Sequence, residues 1–151
     1  MSLESSSIRA SISWHHYCQN RGFLNSEQGP DTISIAPEKN STKVFVEDKV
    51  SQSSKTTNYD LTSLTDLLSQ SVSFSRIDAV IVSSVSGDLT LSPGASNPSS
   101  IFMGGTAPGI TVPDGGVVLI TGSSAIDSTH KNISITSGSS GCEYRIGLLG
   151  G

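Results

Sequence analysis

Short apolar runs separated by clusters of Gly, Pro, Asp and Asn fill the chain from Ser71 to its end. The runs are Ser71–Val82, Asp88–Ser92, Gly109–Val112, Val117–Thr121, Asn132–Thr136 and Cys142–Leu149. That rhythm predicts an antiparallel β-sandwich or barrel. In the last run Cys142, Tyr144, Ile146 and Leu148 alternate with Glu143, Arg145 and Gly147, the period of a half-buried strand. Ala79–Val82 has no polar alternation, which predicts a central strand covered on both faces. Within Ser71–Val82 the phase changes: Val72 and Phe74 share one parity, Ile77, Ala79 and Ile81 share another with Val80 and Val82 between, so a bulge or bend is expected near Ser75–Ile77.

The first 57 residues read differently. Alternation is visible in Ile8–Trp14 and in Thr42–Val50, and Ile33 and Ile35 share one face of a short strand candidate, Asp31–Ala36. The polar stretch Gln19–Pro37 lies between the outer two. These strands either pack on the C-terminal sheet or form an arm that orders against a neighbouring subunit. Ser51–Asn58 has no apolar residue and predicts a loop, dividing the chain into residues 1–57 and a sandwich domain, 58–151. Just beyond it, Asp60 is a candidate N-cap, with Leu61, Leu64, Leu67 and Leu68 at helical spacing. One short helix is expected near 60–68, its leucines buried.

Val85–Asp88, Pro113–Gly116 and Gly138–Gly141 predict tight turns, the first two read as hairpins in which Gly87 and at least one of Gly115 and Gly116 take positive φ. Val80, Val82, Leu119 and Ile146 are the expected core. Ser92–Gly109 is long for a loop in a small domain, and loops of that length are usually functional or lodged in an interface. Ile101, Phe102 and Met103 at its centre, together with Trp14, are the interface candidates, although the loop trio could equally tuck into the core.

Composition narrows the function classes. The chain has 151 residues, enough for one domain burying roughly 70% of its unfolded surface. With 5% aromatic residues that core has to be aliphatic. Serine makes up about a fifth of the chain, but an apolar content of 34%, gathered in β-branched runs, argues against disorder throughout. A net charge of −4 without any Lys/Arg cluster argues against a nucleic-acid partner. The N-terminus lacks a basic, then apolar, signal sequence, and no apolar run approaches the ~20 residues of a membrane span. The expectation is a soluble protein made in a reducing cytoplasm, with Cys18 and Cys142 both free.

Chemistry-bearing residues are few. His15 and His16 beside Trp14 and Cys18 form the densest metal-capable group, but His130 and Cys142 are isolated from it and no second ligand pair follows. Asp127, Ser128 and His130 are close in sequence without the Gly-x-Ser-x-Gly elbow of a serine hydrolase. Gly104–Gly109 and Gly115–Gly116 lack the lysine and helix of a phosphate cradle. Asn40–Thr42 and Asn132–Ser134 match the glycosylation pattern, which is idle without a secretory signal. No catalytic, metal or cofactor site is expected.

Five segments carry a likeness: Tyr59–Leu64, Phe74–Val82, Leu89–Pro98, Ile110–Ile120 and Tyr144–Gly150. Through them, Asn58–Gly150 resembles small virion accessory proteins of tailed bacteriophages and prophages, of head-decoration, head-spike or fibre-base type. The region before Asn58 departs from that pattern. The resemblance implies a symmetric homo-oligomer, a trimer as first guess, located in the virion and contacting itself and proteins such as capsid. It transfers no catalytic residue. The expected fold is an all-β, antiparallel sandwich of jelly-roll type, acting without enzymatic chemistry and without nucleic-acid or membrane partners. The alternative is a glycan- or receptor-binding module on the same fold, which would need an aromatic ring at a loop end.

Overall fold

The computed structural model describes residues 8–12, 31–35, 41–99, 101 and 109–151. These form an all-β structure with strands β1 (Ile8–Ile12), β2 (Asp31–Ile35), β3 (Lys43–Ser51), β4 (Thr56–Asp60), β5 (Leu64–Thr65) and β6 (Ser71–Val72). There follow β7 (Arg76–Ser86), β8 (Leu89–Pro93), β9 (Ile110–Val112), β10 (Val117–Ala125), β11 (Asn132–Ser137) and β12 (Cys142–Gly150). Two four-stranded sheets, β10-β7-β12-β3 and β4-β11-β8-β9, are antiparallel throughout, and β1-β2 and β5-β6 are two-stranded ribbons. β3 lies before Asn58 and β4 runs through it, and each joins a four-stranded sheet whose other strands follow Asn58.

Period-two alternation orients the two sheets toward one another. Phe45, Val80, Val82, Tyr144, Ile146 and Leu148 from one sheet share a core with Tyr59, Leu89, Leu91, Val112, Ile133 and Ile135 from the other. The result is a sandwich-like arrangement with one aliphatic interior. Of the expected core residues, Val80, Val82 and Ile146 are buried to 1% exposure or less. Leu119 is a correction. It lies half-buried on the outer side, because Val118 and Ile120 are the β10 residues that pack inward.

β7 is central, between β10 and β12, and its phase change is real. Ile77 and Val80 both reach the core, and the register slips between Ile77 and Ala79 against each neighbour, one step later than the sequence suggested. The helix near 60–68 is absent; among the described residues there is none. Asp60 Oδ1 instead accepts hydrogen bonds from the Thr62 amide (3.0 Å) and hydroxyl (2.6 Å), and the Ser63 amide returns to the Asp60 carbonyl. Asp66 Oδ1 then accepts from the amides of Leu68 and Gln70, closing the β5-β6 ribbon. A helix this short cannot offset its nucleation cost, so local aspartate-to-backbone bonds win. Leu61 and Leu64 enter the core, whereas Leu67 (56%) and Leu68 (72%) are exposed.

Gly87 and Gly115 adopt positive φ, +75° and +69°, as expected, but the turns they occupy are not hairpins. Val85–Asp88 leads from β7 to β8, Pro113–Gly116 from β9 to β10 and Gly138–Gly141 from β11 to β12, and each pair of strands belongs to different sheets. The corners are stapled together: the Gly87 amide donates to Asp114 Oδ1, the Asp114 amide to Asp88 Oδ1 and the Gly138 amide to the Asp88 carbonyl. Chain crossings between sheets, rather than hairpins within them, set the topology.

Candidate functional site

Among the described residues, the largest group of interacting titratable side chains lies where the edge strands β3 and β4 meet. Alternation along β3 gives Glu47 and Lys49 the same inward parity as Phe45. Tyr59 stands opposite on β4, its ring edge-on to Phe45 at 6.1 Å and under the Lys49 ammonium at 5.8 Å. The Tyr59 hydroxyl donates to Glu47 Oε2 at 2.6 Å and lies 2.8 Å from the Tyr144 hydroxyl. Tyr59 has one hydroxyl proton and a carboxylate can only accept, so Tyr144 donates to Tyr59. Thr57 in turn bonds Tyr144. The hydroxyls form a one-way row ending on the carboxylate.

Burial raises both phenols above the ordinary tyrosine range; for Tyr59 the bond to Glu47 raises it further. Phenols held protonated donate hydrogen bonds and do not abstract protons. The row therefore works as a latch across the open side of the sandwich. Glu47 and Lys49 also put charge on the inward parity of an edge strand, a device that discourages edge-to-edge pairing.

A second group fixes the bulge in β7. Asp78, 2% exposed, accepts Arg76 Nε at 2.6 Å, Arg76 Nη2 at 3.0 Å and the Ser41 hydroxyl at 2.5 Å. Burial works to raise the Asp78 carboxyl, but Arg76 and Ser41 together hold it below its ordinary value. The contacts are charge-assisted and bidentate, a positioning arrangement.

The Asp127–His130 segment is brought together, though not as a hydrolase site. Asp127 Oδ1 accepts from the Thr129 hydroxyl and amide and the His130 amide, which hold its carboxyl well below the ordinary range. His130 Nδ1 lies 3.2 Å from Asp127 and 3.0 Å from the Thr129 hydroxyl. A triad needs the acid and the nucleophile on opposite ring nitrogens. Here one nitrogen meets both, and Ser128 takes no part. The segment is an exposed turn.

Of the interface candidates, Ile101 is buried to 0% exposure in the shared core. It holds φ at +28°, a strained conformation for a β-branched residue. The loop leading to it wraps Asn132, whose carbonyl accepts the Gly94 and Ser99 amides and whose amide donates to the Asn97 carbonyl. Phe102, Met103 and Trp14 lie outside the described residues, as do His15, His16 and Cys18. Cys142 is a buried free thiol, pushed up by that burial. Among the described residues no three His, Cys, Asp or Glu side chains are grouped to hold a metal, and no helix is long and apolar enough to cross a membrane.

Sequence reasoning did not single out Glu47, Tyr59 and Tyr144. The available signal was the shared parity of Glu47, Lys49 and Phe45. No family model matches the chain, and neither a curated protein nor a solved structure does.

Proposed function

We propose that the chain is a non-enzymatic structural part of a bacteriophage virion, a jelly roll that works through protein–protein contacts as a capsid decoration, head spike or fibre base. The observation that carries this reading is the strand order. Taking the eight sheet strands in chain order, the sheets run sixth-third-eighth-first and second-seventh-fourth-fifth. That interleaving supports a jelly roll, a fold frequent in viral capsid proteins and lectins. The step from fold to role is one of analogy, joined to the resemblance in Asn58–Gly150.

Exposed Leu67 and Leu68 lie beside the β3 edge, where the Leu67 amide donates to the Val46 carbonyl at 3.3 Å. An apolar corner of this kind supports self-assembly, with a cyclic trimer as the first expectation. Phe45, Tyr59, Phe74 and Tyr144 are all buried, so a glycan-stacking ring would have to come from outside the described residues. Mass spectrometry of purified particles tests the role. The protein is expected in stoichiometric amounts; production during infection without incorporation into particles would remove the reading.

A further inference from the structure

The sheet β10-β7-β12-β3 has an outer face that changes character along its strands. Its register lines up Val44, Leu149, Ala79 and Thr121 in one cross-strand row, and Val46, Gly147, Ile81 and Leu119 in the next. The third row is polar: Asp48, Arg145 and Ser83, with Arg145 Nε 3.1 Å from Asp48 Oδ1, ends on Val117. One half of the face is thus apolar and the other charged. Leu149 and Ala79 are 3% and 1% exposed although neither belongs to the core between the sheets. Gly147 leaves a dip beside them, where an added methyl would come within 2.8 Å of Ile81 Cγ2.

The chain from the N-terminal ribbon arrives at this same half. The Thr42 amide donates to the Gly150 carbonyl and the Ser41 hydroxyl to Asp78, so residues 41 and 42 are pinned at the apolar end of the sheet. Upstream, β1 and β2 form a two-stranded sheet of their own, pairing with no other strand among the described residues. Their register sets Ile8 opposite Ile35, Ala10 opposite Ile33 and, at the ribbon's end, Ile12 opposite Asp31 on one parity, with Arg9 opposite Ser34 and Ser11 opposite Thr32 on the other. A lone two-stranded ribbon is marginal in water and needs an apolar surface to pack on.

We propose that the β1-β2 ribbon packs its isoleucine parity on the apolar half of this outer face, over β12, β7 and β10 of its own chain, as a third layer. Reach and size favour the chain's own ribbon over a neighbour's. From Ile35 to Ser41 the chain can span about 20 Å, against about 14 Å for the width of a four-stranded sheet. So short a tether holds the ribbon at high effective concentration over its own sheet. Two paired strands of five residues, about 17 Å long, match the two apolar rows and the sheet margin beyond them.

Thiol labelling of the full-length protein, read peptide by peptide by mass spectrometry, tests this. A cysteine at Leu119→Cys is expected to react about tenfold more slowly than one at Thr111→Cys, an exposed position in the opposite sheet, as for a cover that opens only locally. Placing charge on the ribbon with Ile33→Asp and Ile35→Asp should bring the Leu119→Cys rate to within about twofold of the control. Because the ribbon lies outside the two main sheets, circular dichroism of that variant should remain β-rich. If it does not, the milder Ile33→Ser replaces it. Equal rates in the unmodified ribbon background would overturn the proposal, as would slow labelling that the ribbon changes leave untouched. Protection that grows with protein concentration would assign the face to a second copy and overturn it too.

Discussion

The two faces of the sheet β10-β7-β12-β3 share one backbone and one register yet obey different rules. On the inner face Phe45, Val82 and Ile146 share a core with the opposite sheet, so their volumes must match that interior. On the outer face the same strands carry Val46, Leu119 and Val117 at a graded apolar-to-charged surface. The contrast teaches that β-branched composition alone does not identify core. Packing against a second layer does.

The inner face should respond most. Ile146→Ala is expected to cost about 2–5 kcal/mol, through lost burial and a residual cavity. Urea unfolding checks it; a loss of a few tenths with unchanged m would mean that Ile146 faces a void already. The latch between the sheets supplies the next effect. Tyr59 and Tyr144 have raised values in the folded protein, so above pH ~10 the unfolded chain releases protons that the folded chain keeps, and stability falls as pH rises. Each phenol contributes a slope of at most about 1.4 kcal/mol per pH unit there. In Tyr144→Phe the slope should become shallower, and an unchanged slope would show that Tyr144 is not titrating differently in the two states.

A smaller effect is expected at the dip on the outer face. Gly147→Ala places a methyl 2.8 Å from Ile81 Cγ2. Ile81 is only half-buried and can turn away, so the cost should be about 1 kcal/mol, the low end for overpacking. A loss several times larger would mean that the outer face is packed as tightly as the core. Smallest of all, Val117→Ala, 61% exposed on the same sheet, should change stability by less than about 0.5 kcal/mol. A loss like that of Ile146→Ala would erase the distinction between the faces.

Much of the strand content was legible because period-two alternation and turn residues act locally. Gly87 and Gly115 were readable for the same reason: positive φ is a local steric demand, met whether a turn closes a hairpin or crosses between sheets. The partner of each strand was not legible. Val85–Asp88 looks the same in either setting, and only the competition of whole sheets decides it. The latch was hidden likewise, since Tyr59 and Tyr144 are distant in sequence and meet only when β4 and β12 lie in opposed sheets.

The sequence by itself determined that this is a β protein with an aliphatic interior, where most of its strands and turns fall, and that β7 runs through the middle of a sheet. Tertiary structure alone decided that Leu119 faces outward, that the Asp60 segment is a turn and ribbon instead of a helix, and that Glu47 closes onto two tyrosines. The physical reason is the range of the forces involved. Alternation, turn sterics and aspartate-to-backbone bonds act over a few residues, whereas the choice of buried face depends on which distant strand arrives to cover it.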